Sequence, residues 1–106
     1  MISDRFAALG DPTRLAIVET LLNEGEKTAG ELVDQSKVSA PAVSRHLKVL
    51  TEAGLINRRV DQQRRVYSVD RQGIGQVSDW LNQHIEFWEG SLNRLQAAVE
   101  KRKPHE

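Results

Sequence analysis

Cysteine is absent from this chain of 106 residues. Its absence excludes disulfide bridges, thiolate ligands for zinc or iron–sulfur clusters, and a cysteine nucleophile. No apolar run approaches the ~20 residues that a membrane span needs. Asp4 and Arg5 stand where a signal peptide would build its apolar stretch. These absences predict a cytoplasmic protein that has no membrane partner.

The charge of the chain is balanced overall but unevenly distributed. Fifteen basic residues face fifteen acidic ones, so the net charge is zero. Residues 37–66 nevertheless hold seven lysines and arginines against two acidic residues, a net charge of +5, and the rest of the chain carries −5. A basic segment of this kind is suited to the phosphates of a nucleic acid.

Spacing and capping residues divide the first quarter of the chain into two helices. Apolar residues at steps of four and three predict a first helix over about residues 2–9. Asp11 as N-cap, followed by Pro12 at the first helical position, predicts the start of a second helix. Its buried stripe is expected to consist of Leu15, Val18, Leu21 and Leu22.

The next two helices have the spacing of a helix-turn-helix. Thr28 and Glu31 form a capping-box pattern that predicts a third, short helix ending near Ser36. Ser39 is the expected N-cap of a fourth helix, which runs to Ala53. Because so few residues separate them, the fourth helix (about 39–53) is the predicted recognition helix of a helix-turn-helix.

The remainder of the chain predicts a hairpin and a long helix. Residues 55–60 and 65–69 are rich in β-branched residues and flank a polar tip at 61–64, which indicates a wing over about 55–69. The last helix is predicted over about 71–103 and would be roughly 45 Å long, longer than so small a core can cover. Gly73, Gly75 and Gly90 are expected to weaken it locally.

This order, α-α-α-α-β-β-α, predicts a mainly helical α+β fold, a winged helix-turn-helix in one domain over residues 1–106. Two stretches resemble the ArsR family of bacterial winged-helix transcriptional regulators: LGDPTRL at 9–15 with IVETL at 17–21, and SAPAVSRHLKVL at 39–50 with EAGLI at 52–56. With RVYSV at 65–69, the resemblance covers most of residues 6–70. The last helix matches in position and amphipathicity only.

The fourth helix carries the residues expected to read DNA. At about 100° per residue, Val43, Leu47 and Leu50 share the core side, and the basic residues lie opposite. A major groove admits such a helix, and an arginine there can pair bidentately with guanine. The resemblance implies DNA contact by the first turns, matching Ser39, Ala40, Pro41, Ser44 and Arg45, to which Lys48 is added from its place on the helix.

The wing is expected to contact the DNA backbone or the minor groove, because its composition is basic and polar. Arg64 or a neighbour at the tip is expected to contact a phosphate, and the composition does not decide which of the four arginines points away from DNA. The candidate residues are Arg58, Arg59, Gln62, Gln63, Arg64 and Arg65.

The terminal helices present more apolar surface than one small domain can cover, which is typical of an interface. The resemblance implies that they pair two protomers and place the recognition helices about one DNA turn apart. The candidate dimer residues are Ile2, Phe6, Leu9, Trp80, Ile85, Trp88, Leu92 and Leu95.

No metal and no cofactor are expected. Many family members sense metals through cysteines of the third helix, and the matching positions here are Thr28 and Gly30, which ligate zinc poorly. The remaining candidate is a site that joins His84 to carboxylates of the last helix. The apolar residues beside His84 give that site no support.

These features predict a sequence-specific regulator of transcription that binds double-stranded DNA, as a homodimeric repressor on a pseudo-palindromic operator. The sequence has no catalytic motif, so it is not expected to be an enzyme. The alternatives are a winged helix that only binds proteins and a metal-responsive repressor with a histidine–carboxylate site on the last helix. Control by a small organic effector or by abundance alone is left open.

Overall fold

Five helices and a three-stranded antiparallel sheet make up the computed structural model, which describes residues 1–102 and their side chains as far as Glu100. The predicted end of the last helix at Lys103 lies outside the described residues. None of the described helices is long and apolar enough to cross a membrane. In chain order the elements are α1 (Ile2–Leu9), α2 (Pro12–Glu24), β1 (Lys27–Thr28), α3 (Ala29–Asp34), α4 (Ala40–Glu52), β2 (Ile56–Asp61), β3 (Arg64–Val69) and α5 (Arg71–Arg102).

Three helices begin where their N-cap residues predict. The carboxylate of Asp11 accepts a hydrogen bond from the Arg14 backbone N–H at 3.0 Å. At the start of α3 the predicted capping box is present: the Thr28 hydroxyl accepts from the Glu31 N–H at 3.2 Å, and the Glu31 carboxylate accepts from the Thr28 N–H at 2.9 Å. This second bond lowers the pKa of Glu31. Ser39 caps α4, so each start is determined locally.

The sheet contains one strand that the sequence analysis did not predict. The strand order is β1-β3-β2, and the residues of β1 pair with Tyr67 and Val66 of β3. The expected two-stranded hairpin is therefore extended by a third strand, and β3 lies at the centre of the sheet. A strand of two residues is too short to show the alternation on which strand prediction depends.

The turn of the hairpin is shorter than the predicted four-residue tip. Asp61 and Arg64 are the last cross-strand pair of β2 and β3, and only Gln62 and Gln63 lie between them. Gln62 has a φ of +59°, in the left-handed region. The tight turn holds the two strands in register to their ends.

The core lies where α2 and α4 meet the sheet and the start of α5. Ile17, Val18 and Leu21 form the buried face of α2. The predicted stripe was wrong for Leu15 and Leu22, which are 41% and 53% exposed. Helical spacing places them near the core side, but α1, α4 and β3 cover only the face centred on Val18 and Leu21.

A close contact between two glycines joins the start of α5 to the turn after α4. Gly54 has a φ of +76°, and a Cβ built on Gly73 would lie 1.7 Å from the Gly54 carbonyl oxygen. Gly73 was expected only to weaken the helix. In the structure it allows the backbone of α5 to approach the turn, which a larger residue would prevent.

The long helix leaves the body of the protein after its third turn, in which Trp80 packs against Phe6. Ile74 and Val77 pack against the core. The same helix face continues without cover through Leu81, Ile85, Trp88, Leu92, Leu95 and Val99, whose exposure ranges from 39% to 63%. The described chain is therefore elongated, with extents of 71 × 27 × 22 Å.

Candidate nucleic-acid interface

The fourth helix turns its polar face outward, as its periodicity predicts. Val43, Leu47 and Leu50 are buried against the core, with Leu50 fully inaccessible. The face opposite to them is open to solvent. All six residues predicted from this helix and its cap are exposed: Ser39, Ala40, Pro41, Ser44, Arg45 and Lys48.

An open groove of about 760 Å³ separates α4 from the wing, and basic residues line both of its walls. Arg45 and Lys48 contribute from the helix, while Arg58 and Arg65 contribute from the hairpin. Glu52 and Asp70 also line the groove, so four basic and two acidic side chains give it a net charge of +2. A net positive charge along a groove raises the electrostatic potential there and attracts a polyanion.

The register of the hairpin sorts its arginines between two faces of the sheet. Arg58 pairs with Tyr67, and Arg65 pairs with Val60. Directly paired residues lie on the same face, and alternate residues of a strand share that face. Arg58 and Arg65 therefore lie on one face and Arg59 and Arg64 on the other.

The two arginines of the far face are engaged in ion pairs. Arg59 donates to the carboxylate of Glu26 at 2.9 and 3.1 Å, and Arg64 lies 3.7 Å from Asp61. Within residues 1–102 the structure shows no ion pair for Arg58 or Arg65. Sequence reasoning did not decide which of the four points away from DNA, because Glu26 and Arg59 stand 33 positions apart.

A polar cluster beneath α4, formed by Asp11, Arg14 and His46, was not assigned a joint role from the sequence. Arg14 Nη1 lies 3.3 Å from His46 Nδ1. Arg14 also donates to the carbonyl oxygens of Ala8 at 2.7 Å and Ala7 at 3.4 Å. The hydrogen bond from the Arg14 N–H lowers the pKa of Asp11. One side chain thus connects α1, α2 and α4.

The predicted dimer residues fall into two groups. Ile2, Phe6 and Leu9 of α1 are half-buried against the body. Trp80 packs edge-to-face against Phe6, with ring centroids 5.1 Å apart. The members of the second group lie farther along α5 and are exposed to solvent: Ile85, Trp88, Leu92 and Leu95.

His84, the candidate metal ligand of the sequence analysis, is engaged within its own helix. Its ring stacks on Trp80 at a centroid distance of 4.0 Å. Its Nδ1 lies 2.7 Å from the Trp80 carbonyl oxygen, to which it must donate. Over the described part of the chain, no three histidines and carboxylates gather in a group that could hold a metal ion.

The amino-acid sequence is similar to those of several bacterial transcriptional regulators. A sequence profile described as "bacterial regulatory protein, arsR family" matches residues 11–58. The HTH-type transcriptional regulator Rv2034 of Mycobacterium tuberculosis is 45% identical over 85 residues, which are 80% of this chain and 76% of that protein. The transcriptional repressor SdpR of Bacillus subtilis is 31% identical, over 82% of this chain and 96% of the repressor.

The fold has close counterparts among solved structures. A crystal structure titled "possible transcriptional regulator for arsenical resistance" superimposes with a TM-score of 0.71 at 39% identity. The match covers 90% of this chain and 95% of that one. The winged helix-turn-helix arrangement is therefore shared almost from end to end.

Proposed function

This chain belongs to the ArsR family of bacterial regulatory proteins, which regulate transcription and are not enzymes, and from this premise we propose that it is a homodimeric repressor of a pseudo-palindromic operator. The groove between α4 and the wing carries the proposal, because Arg45, Lys48, Arg58 and Arg65 line it together. Occupying an operator would block transcription by excluding the polymerase.

Base readout is assigned to the first turns of α4. Arg45 is exposed on the face opposite the core and has the fork geometry that pairs with the O6 and N7 of guanine. Ser44 and Lys48 suit bases or phosphates. Ala40 and Pro41 have no polar side-chain atoms, so their contribution would be apolar or steric.

Backbone contact is assigned to the groove-facing side of the wing. Arg58 and Arg65 lie on that side, and Gln62 and Gln63 form its tip. Phosphate contacts position a protein on DNA without reading sequence. Arg59 is assigned a structural role instead, because it holds Glu26 in the segment before β1.

Dimerisation is assigned to α1 together with the apolar stripe of α5, residues 81–99. The exposed residues of this stripe lie within roughly 80° of one another around the helix axis, in line with Ile74 and Val77 of the core. An apolar stripe of this length needs a cover in water. A second copy supplies a matching stripe, because a twofold interface is self-complementary.

Release from DNA is proposed not to depend on thiolate binding of metals. A role in arsenical resistance is named for the structural relative described above, not for this chain. Soft metals prefer thiolate ligands, and this chain has no cysteine. The remaining modes of control are a small organic ligand between the terminal helices and the abundance of the protein alone.

Replacing Arg45 with alanine tests the proposed function. We expect this change to cost roughly 1–3 kcal/mol per half-site and to relax the preference at one base pair, because a bidentate contact is lost. Fluorescence anisotropy would compare a duplex selected by the unmutated protein from a random pool with a scrambled duplex at the same salt. Arg71→Ala removes an equal charge away from the groove and should bind normally. If the unmutated protein binds both duplexes equally, it is no specific regulator and the protein-binding alternative is favoured.

The two faces of the wing give a second prediction. Arg65→Ala should weaken binding to every duplex and flatten the salt dependence by about one charge per half-site, since a phosphate contact disappears. Arg59→Ala should change DNA affinity little, because Arg59 is paired with Glu26. Affinity measured as a function of salt checks both. Equal losses of DNA affinity in the two variants would show that both faces of the wing contribute equally to DNA binding.

A further inference from the structure

We propose that Arg14 and His46 form a latch that sets the orientation of α4 relative to α1, and that this latch determines how well the protein discriminates its operator from other DNA. The inference rests on the proposed DNA-binding function. It adds two positioning residues that stand behind the contact surface and touch no base themselves.

The first half of the latch is the guanidinium of Arg14. It donates to the carbonyl oxygens of Ala7 and Ala8, which belong to the last turn of α1. The Gly10 N–H already donates to the Ala7 carbonyl oxygen at 3.2 Å, whereas the Ala8 carbonyl oxygen belongs to the last turn, where carbonyl groups have no partner inside the helix. Arg14 therefore holds the end of α1 by directed, charge-assisted hydrogen bonds.

The second half is the imidazole of His46. A guanidinium has donors only, so the 3.3 Å contact between Arg14 Nη1 and His46 Nδ1 makes Nδ1 an acceptor. Asp11 Oδ2 is 3.9 Å from the same nitrogen, beyond hydrogen-bond distance, and it already accepts from the Arg14 N–H. A ring that carries its proton on Nε2 satisfies this contact with Arg14.

This contact adds a directional constraint to the apolar packing that holds α4. Val43, Leu47 and Leu50 hold α4 through apolar contacts, which are not directional. His46 directly follows Arg45 in the chain, so a small rotation of α4 at His46 would displace the exposed Arg45. Because α1 is part of the proposed dimer interface, Arg14 also connects that interface to α4. The distance between the two recognition helices of a dimer would then depend on this contact.

Replacement of His46 by alanine tests whether the latch positions α4 for operator recognition without contributing to the affinity for DNA in general. We expect the ratio of operator to scrambled-duplex affinity to fall about tenfold, while affinity for the scrambled duplex changes less than twofold. Tolerance of one base pair inserted between the half-sites should increase. His46→Asn should restore most of the ratio, because its Oδ1 can accept from Arg14 near the former position of Nδ1.

Two controls exclude a loss of stability or a direct contact with DNA. Ile17→Val removes a core methyl group and leaves every hydrogen-bonding group of the latch in place, so it should lower the melting temperature without changing the ratio. A ratio unchanged in His46→Ala, or lowered equally by Ile17→Val at equal loss of melting temperature, would overturn the latch. Failure of His46→Asn to restore any discrimination would also overturn it, in favour of direct contact between the ring and DNA.

A measurement without DNA tests the contact by itself. Long-range proton–nitrogen NMR of the unmutated protein at neutral pH should show His46 with a protonated Nε2 and a bare Nδ1. In Arg14→Lys the two tautomers should mix, because the fork that donates to Nδ1 is gone. A protonated Nδ1 in the unmutated protein would overturn the latch even if the proposed operator binding failed, so the two failures can be told apart.

Discussion

Replacing Trp88 with glutamate is expected to leave the protein monomeric and to lower its affinity for the operator by about a thousandfold. Trp88 is 61% exposed in the middle of the apolar stripe of α5. A charge placed there would have to lose its water at the proposed twofold interface without gaining a partner. Two linked half-site contacts exceed the affinity of one by roughly 10²–10⁴, and a monomer forfeits that gain.

Phe87 offers a matched control for this change. It is also aromatic and 61% exposed, and its position on the helix lies about 100° from that of Trp88 around the axis. Its ring meets the Trp88 ring edge-to-face at a centroid distance of 5.7 Å, so the change also removes that contact. Phe87→Glu adds the same charge and should remain dimeric with near-normal operator affinity. Sedimentation equilibrium at tens of micromolar protein, combined with anisotropy, measures both properties. An unmutated protein that sediments as a monomer would contradict the proposed interface.

Replacing Gly73 with alanine is expected to destabilise the fold by roughly 3–5 kcal/mol, a large share of the stability of a small domain. The added Cβ would lie 1.7 Å from the carbonyl oxygen of Gly54. The carbonyl oxygen is a backbone atom, and the position of a Cβ is fixed by the backbone. No side-chain rotation can relieve the clash, so α5 must move away from the turn. Overpacking that moves backbone costs more than side-chain crowding does.

Gly75 is the control for this prediction, only two residues farther along the same helix. A Cβ at Gly75 meets nothing within 4 Å, so Gly75→Ala should stabilise the protein by about 0.5–1 kcal/mol through helix propensity. Urea unfolding followed by circular dichroism gives both free energies. Similar values for the two variants would show that the contact with Gly54 does not constrain α5.

The parts of the fold that were predicted well depend on signals within one helical turn. Asp11, Thr28 and Ser39 each cap the helix that follows them, by bonds to backbone three residues away. The exposed face of α4 follows from its apolar period, so the prediction that Arg45 and Lys48 are exposed was confirmed. Their contact with DNA stays a prediction.

The predictions that were wrong or missing concern residues whose pairing or burial depends on a neighbouring element. β1 is too short to have a period and exists because β3 offers it partners. Leu15 and Leu22 have the spacing of core residues, but no described element covers them. Burial depends on what packs against a side chain, and a single helix contains no information about its neighbours.

Sequence alone determined the order of the five helices and the hairpin, the starts of three helices, the outward face of α4 and the exclusion of thiolate chemistry. Each of these depends on residue type or on neighbours within a few positions. Only the tertiary structure decided that Arg58 and Arg65 share the groove while Arg59 binds Glu26, and that Arg14 meets His46. These partners are 33 and 32 positions apart. Contacts at such separation arise only when strand register and helix packing bring the two segments together, and no local pattern encodes that.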